Sequence, residues 1–175
     1  MSGSGLFGDD ARPRSAPLFP VATHKFVVLS LCTLGLYELY WSYQNWRRIE
    51  EASPEGLSPF WRAVFAPIWS FSLFRRVRDL AEADGLVVRW NPIVLAVFYL
   101  LLGVSWRLPD PWSWVGFATV LALFPVQQTA QLLNRRYLAP DESPNNRYGV
   151  LNIATIIVGG TFLLLATIGS FLPPE

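Results

Sequence analysis

Residues 26–46 read FVVLSLCTLGLYELYWSYQNW, and how this stretch is read decides the fold. It carries one charge, Glu38, and a single helix of that length reaches about 31 Å, against a hydrocarbon core of about 30 Å. The stretch is therefore expected to cross a bilayer as one helix. It is longer than the roughly 7–15 residues of a signal-peptide core and has no small-x-small site before Arg47-Arg48, so it is expected to stay attached as an anchor.

The rest of the chain agrees with that setting. Of 175 residues 52% are apolar, 15% are charged and eight are tryptophan, whereas a soluble domain carries roughly 25% charged residues. This balance excludes a disordered chain, a collagen, a disulfide scaffold and a nucleic-acid binder. A net charge of +1 gives no global field to recruit a polyanion, and the one cysteine, Cys32, has no internal partner for a disulfide.

Residues 1–20 hold Gly, Ser, Pro and an Asp pair and read as a mobile tail; residues 21–175 read as one membrane domain. After 26–46, further spans are expected at about 91–107, 111–134 and 148–172, with Asn91-Pro92 and Asp110-Pro111 as helix starts and Pro125 as a kink. Residues 58–84 are opened by Ser58-Pro59 and closed by Gly85. Phe60/Trp61, Val64/Phe65 and Ile68/Trp69 recur every four residues on one bulky face, with Arg62, Ala63, Ala66 and Ser70 opposite. Only 12 uncharged residues run from Ala63 to Phe74, interrupted by Pro67, so the segment is read as interfacial or re-entrant. The fold class is thus all-α: a polytopic helical membrane protein with four spans and one in-plane helix.

Charge does not choose between four spans with the N-terminus outside and five with it inside; either way ten basic residues share one side against four. The polar stripes do choose. Gly35, Glu38, Ser42 and Asn45 share a face of the first span; Gln127, Gln131 and Asn134 share one in the third; Asn152, Thr155 and Gly159 share one in the fourth. Four spans bring all three stripes into one leaflet.

Glu38, Ser42, Asn45, Gln127, Gln131, Asn134 and Asn152 are accordingly the candidate intramembrane polar cluster. An acid at such depth needs a partner or a proton. Glu38 is read either as a proton or cation site or as a structural hydrogen-bonding group for Gln127, Gln131 or Asn152. Arg75, Arg76 and Arg78 are a candidate contact for anionic lipid, or serve only the positive-inside rule. Tyr37, Tyr40, Trp41 and Trp46, and separately Trp106, Trp112 and Trp114, read as interfacial aromatic belts. His24 has no ligand neighbours at metal spacing, and no nucleophile elbow, zinc motif or phosphate loop is present. No catalytic, cofactor-binding or metal-binding residue is assigned.

The words Thr33-Leu34-Gly35-Leu36-Tyr37-Glu38-Leu39-Tyr40-Trp41, Pro59-Phe60-Trp61-Arg62, Phe124-Pro125-Val126-Gln127 with Asn134-Arg135, and Asn152 with Gly159-Gly160 cover most of the chain after Pro20. In them the chain resembles families of small multi-pass bacterial membrane proteins of unknown function with a Thr-x-Gly-Leu/Ile-Tyr-x-x-Tyr-Trp signature in the first span. The resemblance implies a bacterial inner-membrane protein and carries over no catalytic residue. The function expected is a non-enzymatic bundle whose partners are membrane lipids, another membrane protein or a second copy. The alternatives are a small transporter or channel using Glu38 and the Gln/Asn residues, and a membrane-embedded enzyme acting on lipid.

Overall fold

The computed structural model describes residues 16–53, 56, 58–109, 112–138, 145 and 147–170. Among them the fold is all-α, with no strand and one isolated bridge, Val21 to Asn145. The helices are α1 (Thr23–Cys32), α2 (Leu36–Ala52), α3 (Pro59–Val64), α4 (Ala66–Ala83), α5 (Pro92–Ser105), α6 (Thr119–Arg135) and α7 (Val150–Ser170); a 3-10 segment, Trp112–Ala118, leads into α6.

The helix expected to run unbroken over 26–46 is interrupted at Thr33, Leu34 and Gly35. Leu34 and Gly35 both take left-handed backbone, with φ of 53° and 86°. Gly35 N–H bonds back to the Ser30 carbonyl and Leu34 N–H to that of Leu31, the paired closure of a Schellman motif. Thr33 then links the two helices. Its hydroxyl donates to the Leu29 carbonyl at 2.7 Å and accepts from the Tyr37 N–H at 2.9 Å.

Past this turn the chain folds back on itself. Phe26 packs on Tyr37 and Trp41, Phe19 N–H bonds the Asn45 side chain, and Arg48 Nη1 donates to the Ala16 carbonyl at 2.6 Å. Residues 16–32 thus lie antiparallel to 36–48, and both ends of this hairpin share one end of the molecule, called basal below. The ten residues of α1 rise only about 15 Å. A run of apolar residues sets how much surface must be covered; the Thr-Leu-Gly turn sets that two short helices cover it.

Residues 58–84 also form two helices, because the backbone leaves helical geometry at Phe65 (φ −99°, ψ 37°). Pro67 does not break α4. It stands in that helix's first turn, where a missing N–H costs nothing. Phe60, Trp61, Val64, Phe65, Ile68 and Trp69 point outward, while Arg62, Ala63, Ala66 and Ser70 pack inward. Gly85, with φ of 78°, closes α4 in a second Schellman turn, and the chain reverses into α5, whose start is capped by Asn91 Oδ1 accepting from Ile93 N–H at 2.8 Å.

α4 and α5 are antiparallel, with Tyr99 on Phe74 and Arg78 reaching the Trp90 carbonyl. α6 returns to the basal end. Trp90 Nε1 bonds Thr129, and Arg136 pairs with Asp84. The expected helix start at Asp110-Pro111 lies outside the described residues; the arm expected over 111–134 is 3-10 as far as Ala118 and α-helical beyond it, running through Pro125.

The core sits between α2, α4 and α6, around Trp41, Trp46, Phe74, Val77, Leu123 and Val126. Trp41 and Trp46 are therefore core residues rather than members of an interfacial belt. α7 lies along α1, and a Cβ at Gly159 would run into the Cys32 carbonyl, so only glycine admits that approach. Elsewhere α7 is largely bare, with Leu151, Ile157, Val158, Phe162 and Leu165 exposed.

Candidate functional site

The polar interior is built from the amides of α2 and α6. Asn45 and Gln127 are 0% exposed and Asn134 is 1% exposed, on helices that face each other across residues 18–23 and are linked by the Trp41–Gln127 bond. Asn45 Nδ2 donates to the Trp41 carbonyl, and its Oδ1 accepts from Phe19 N–H. Gln127 accepts from Trp41 Nε1 at 2.6 Å and donates to the Val21 carbonyl at 2.7 Å. Gln131 accepts from both the N–H and the hydroxyl of Thr23, and Asn134 Oδ1 accepts from Leu18 N–H.

Four of the predicted cluster residues therefore converge, but on a segment of their own chain. Backbone groups of Leu18, Phe19, Val21 and Thr23 have no helix to satisfy them, and the amides serve in place of water. The described part of the expected tail, residues 16–20, is consequently not a tail: Leu18 is 0% and Ala16 6% exposed. Residues 1–15 lie outside the described residues.

Glu38 belongs to a separate group. It is 4% exposed, and its hydrogen-bond partner is Thr119, whose Oγ1 lies 3.0 Å from Glu38 Oε1, while Tyr99 lines the same space. Neither Gln127 nor Gln131 nor Asn152, the expected partners, reaches it. Trp41, Ser42, Ser70, Phe74 and Leu123 wall the space around it, and that space is about 10 Å³, at the lower limit for one water. Asn152 stays half-buried on α7 and joins neither group.

At the basal end Lys25 is 2% exposed and, among the described residues, is bonded to neutral groups. Its Nζ donates to Asn145 Oδ1 at 3.0 Å and the Arg147 carbonyl at 2.8 Å, with the Tyr148 ring 5.6 Å away. Burial pulls this ammonium below its ordinary pKa. Residues 16–25, Asn145 and Arg147 are so tied to one end, together with Arg48. Residues 16–25 thus share an end with Arg48, whereas the expectation set the N-terminus on the side opposite the Arg47–Arg89 loop.

The three arginines of the expected lipid contact have protein partners. Arg75 lies 3.7 Å from Asp79, Arg78 pairs with Glu82 at 2.7 Å, and Arg76 lies over the Trp46 ring. Sequence reasoning missed Arg62, which is 7% exposed and stacks on Trp46 at 4.1 Å and on Trp69 at 4.6 Å. The only available signal was its place on the small face of 58–84, where a lone arginine among alanines and serine has no solvent. Tyr99 and Thr119, too, carried no local mark. Among the described residues no group of three or more His, Cys, Asp or Glu could hold a metal. Comparison of the chain with family models, curated proteins and solved structures finds no match.

Proposed function

We propose that this chain is a non-enzymatic, multi-pass protein of a bacterial inner membrane, a helical bundle whose outer surface contacts lipid or another membrane protein. The observation that carries the reading is inverted polarity. Glu38, Asn45, Gln127 and Asn134 are buried, while Ile93, Val94, Val97, Leu101 and Val104 of α5 and Leu151, Ile157, Val158 and Leu165 of α7 face outward. Such an exterior is out of place in water, where a soluble monomer exposes contiguous apolar patches of only about a few hundred Å². Val150–Gly169 is the one described helix long and apolar enough to cross a bilayer unaided, with a mean hydropathy of 2.1. In this reading α5 and α6 cross with it, and the α1–α2 hairpin enters and returns.

The basal end then faces the cytoplasm, because it gathers Arg47, Arg48, Arg78, Arg89, Arg135, Arg136 and Arg147, while Arg107 lies past the far end of α5. Arg75, Arg76 and Arg78 stand near anionic headgroups there, each contact worth up to about 1 kcal/mol. Bulky outward residues of α3 and α4 complete the lipid-facing surface.

Cysteine accessibility tests this arrangement. On a Cys32→Ser background, Glu51→Cys and Gly149→Cys are expected to label only from the cytoplasmic side, and Leu108→Cys and Gly169→Cys only from outside. The protein is expected to stay with the membrane in an alkaline carbonate wash. Release into the wash, or labelling of Glu51→Cys and Leu108→Cys from one side, would overturn the proposal.

A further inference from the structure

Glu38 has no ion-pair partner among the described residues, and the groups around it are hydroxyls, aromatic rings and alkyl side chains. α4 contributes Ser70 and Phe74, α6 contributes Thr119 and Leu123, and α5 contributes Tyr99, the one other titratable group lining the site. A carboxylate stripped of water and lacking a countercharge is poorly tolerated, whereas a carboxylic acid bonded on both sides is an ordinary buried polar group.

Counting protons shows what each form can satisfy. Thr119 Oγ1 lies 2.9 Å from the Gly116 carbonyl as well as 3.0 Å from Glu38 Oε1. A threonine hydroxyl has one proton to give, and a carbonyl can only accept. If that proton serves Gly116, the hydrogen between Glu38 and Thr119 belongs to Glu38. The protonated acid therefore satisfies both contacts of the Thr119 hydroxyl with one hydrogen each: Glu38 donates to Thr119, and Thr119 donates to Gly116. The ionised form would draw the Thr119 proton away from Gly116.

Gly116 sits where this choice has a consequence. It lies in the 3-10 segment against the Trp106 ring, with no room for a Cβ, and Thr119 opens α6. We propose that Glu38 is a proton-binding site whose bound proton, passed on as a hydrogen bond through Thr119, locks the junction between the 3-10 segment and α6. The walls from Leu73, Phe74 and Leu123 and the space of about 10 Å³ suit a proton rather than a hydrated metal ion. All contacts are between protein atoms, so this inference goes beyond the membrane reading and does not fall with it.

Infrared spectra of the full chain in detergent at neutral pH provide the test, since exposed carboxyls are ionised there. Wild type is expected to show one carbonyl band of a protonated carboxyl. That band should vanish in Glu38→Gln and move to higher frequency in Thr119→Val, which removes the hydroxyl bonded to the acid. Absence of the band, or its survival in Glu38→Gln, would overturn the proposal. Should Glu38→Gln fail to fold, Thr119→Val decides it, and a band unmoved in that variant counts against it. Raising the pH until the band is lost should speed amide exchange over 112–120 beyond the chemical rate in wild type but not in Glu38→Gln, whose amide donates and accepts as the acid does. Unchanged exchange after loss of the band would remove the lock.

Discussion

Gln127 shows what a buried amide does in this interior. It is 0% exposed and joins two pieces of chain far apart in sequence, taking the indole proton of Trp41 and giving one to the Val21 carbonyl. Gln127→Leu keeps the volume and strands both partners, so it is expected to lower unfolding stability in detergent by about 1–3 kcal/mol for each group left unpaired. Periodicity alone put Gln127, Gln131 and Asn134 on one face of a helix, and Glu38 and Asn45 on one face of another. Which face meets which group was not legible. The Thr119 that bonds Glu38 lies 81 residues away, and i,i+4 spacing says nothing about a partner on another element.

At the scale of elements, Thr33-Leu34-Gly35 is the decisive feature. A Cβ on Gly35 would meet nothing nearer than Glu38 Cδ at 4.0 Å, so a side chain fits in space and the cost of adding one is conformational. Gly35→Ala is expected to destabilise the hairpin by about 1–2 kcal/mol, the cost of left-handed backbone in an L residue. Gly103→Ala, inside α5 with open space around it, should be neutral or slightly stabilising in the same denaturation series. The glycine stood in plain view in the sequence, but a single glycine inside an apolar run is common in membrane helices. Only the bonds back to Ser30 and Leu31 distinguish a reversal from a packing site. Phe65 is harder still to read, since it has no glycine, and Pro67 after it marks the start of the next helix rather than the end of one.

For the whole molecule, residues 16–23 act as part of the bundle rather than as its leader. Leu18 is 0% exposed and belongs to the same core as Trp46 and Leu133. Leu18→Ala is expected to cost about 2–5 kcal/mol in unfolding, as a core leucine does and a tail leucine does not. A melting temperature unchanged by that substitution would return the segment to the status of a tail. Composition and periodicity by themselves determined that the chain is helical, that its bulky apolar residues outnumber what an interior can hold, and that its polar residues lie in stripes, because each of these is a property of neighbours along one helix. Tertiary structure alone decided that the first apolar run turns back at Gly35, that the N-terminal segment fills the groove between α2 and α6, and that Glu38 meets Tyr99 and Thr119. Those outcomes depend on backbone groups and side chains tens to more than a hundred residues apart competing for the same few buried hydrogen bonds, and no local pattern records who wins.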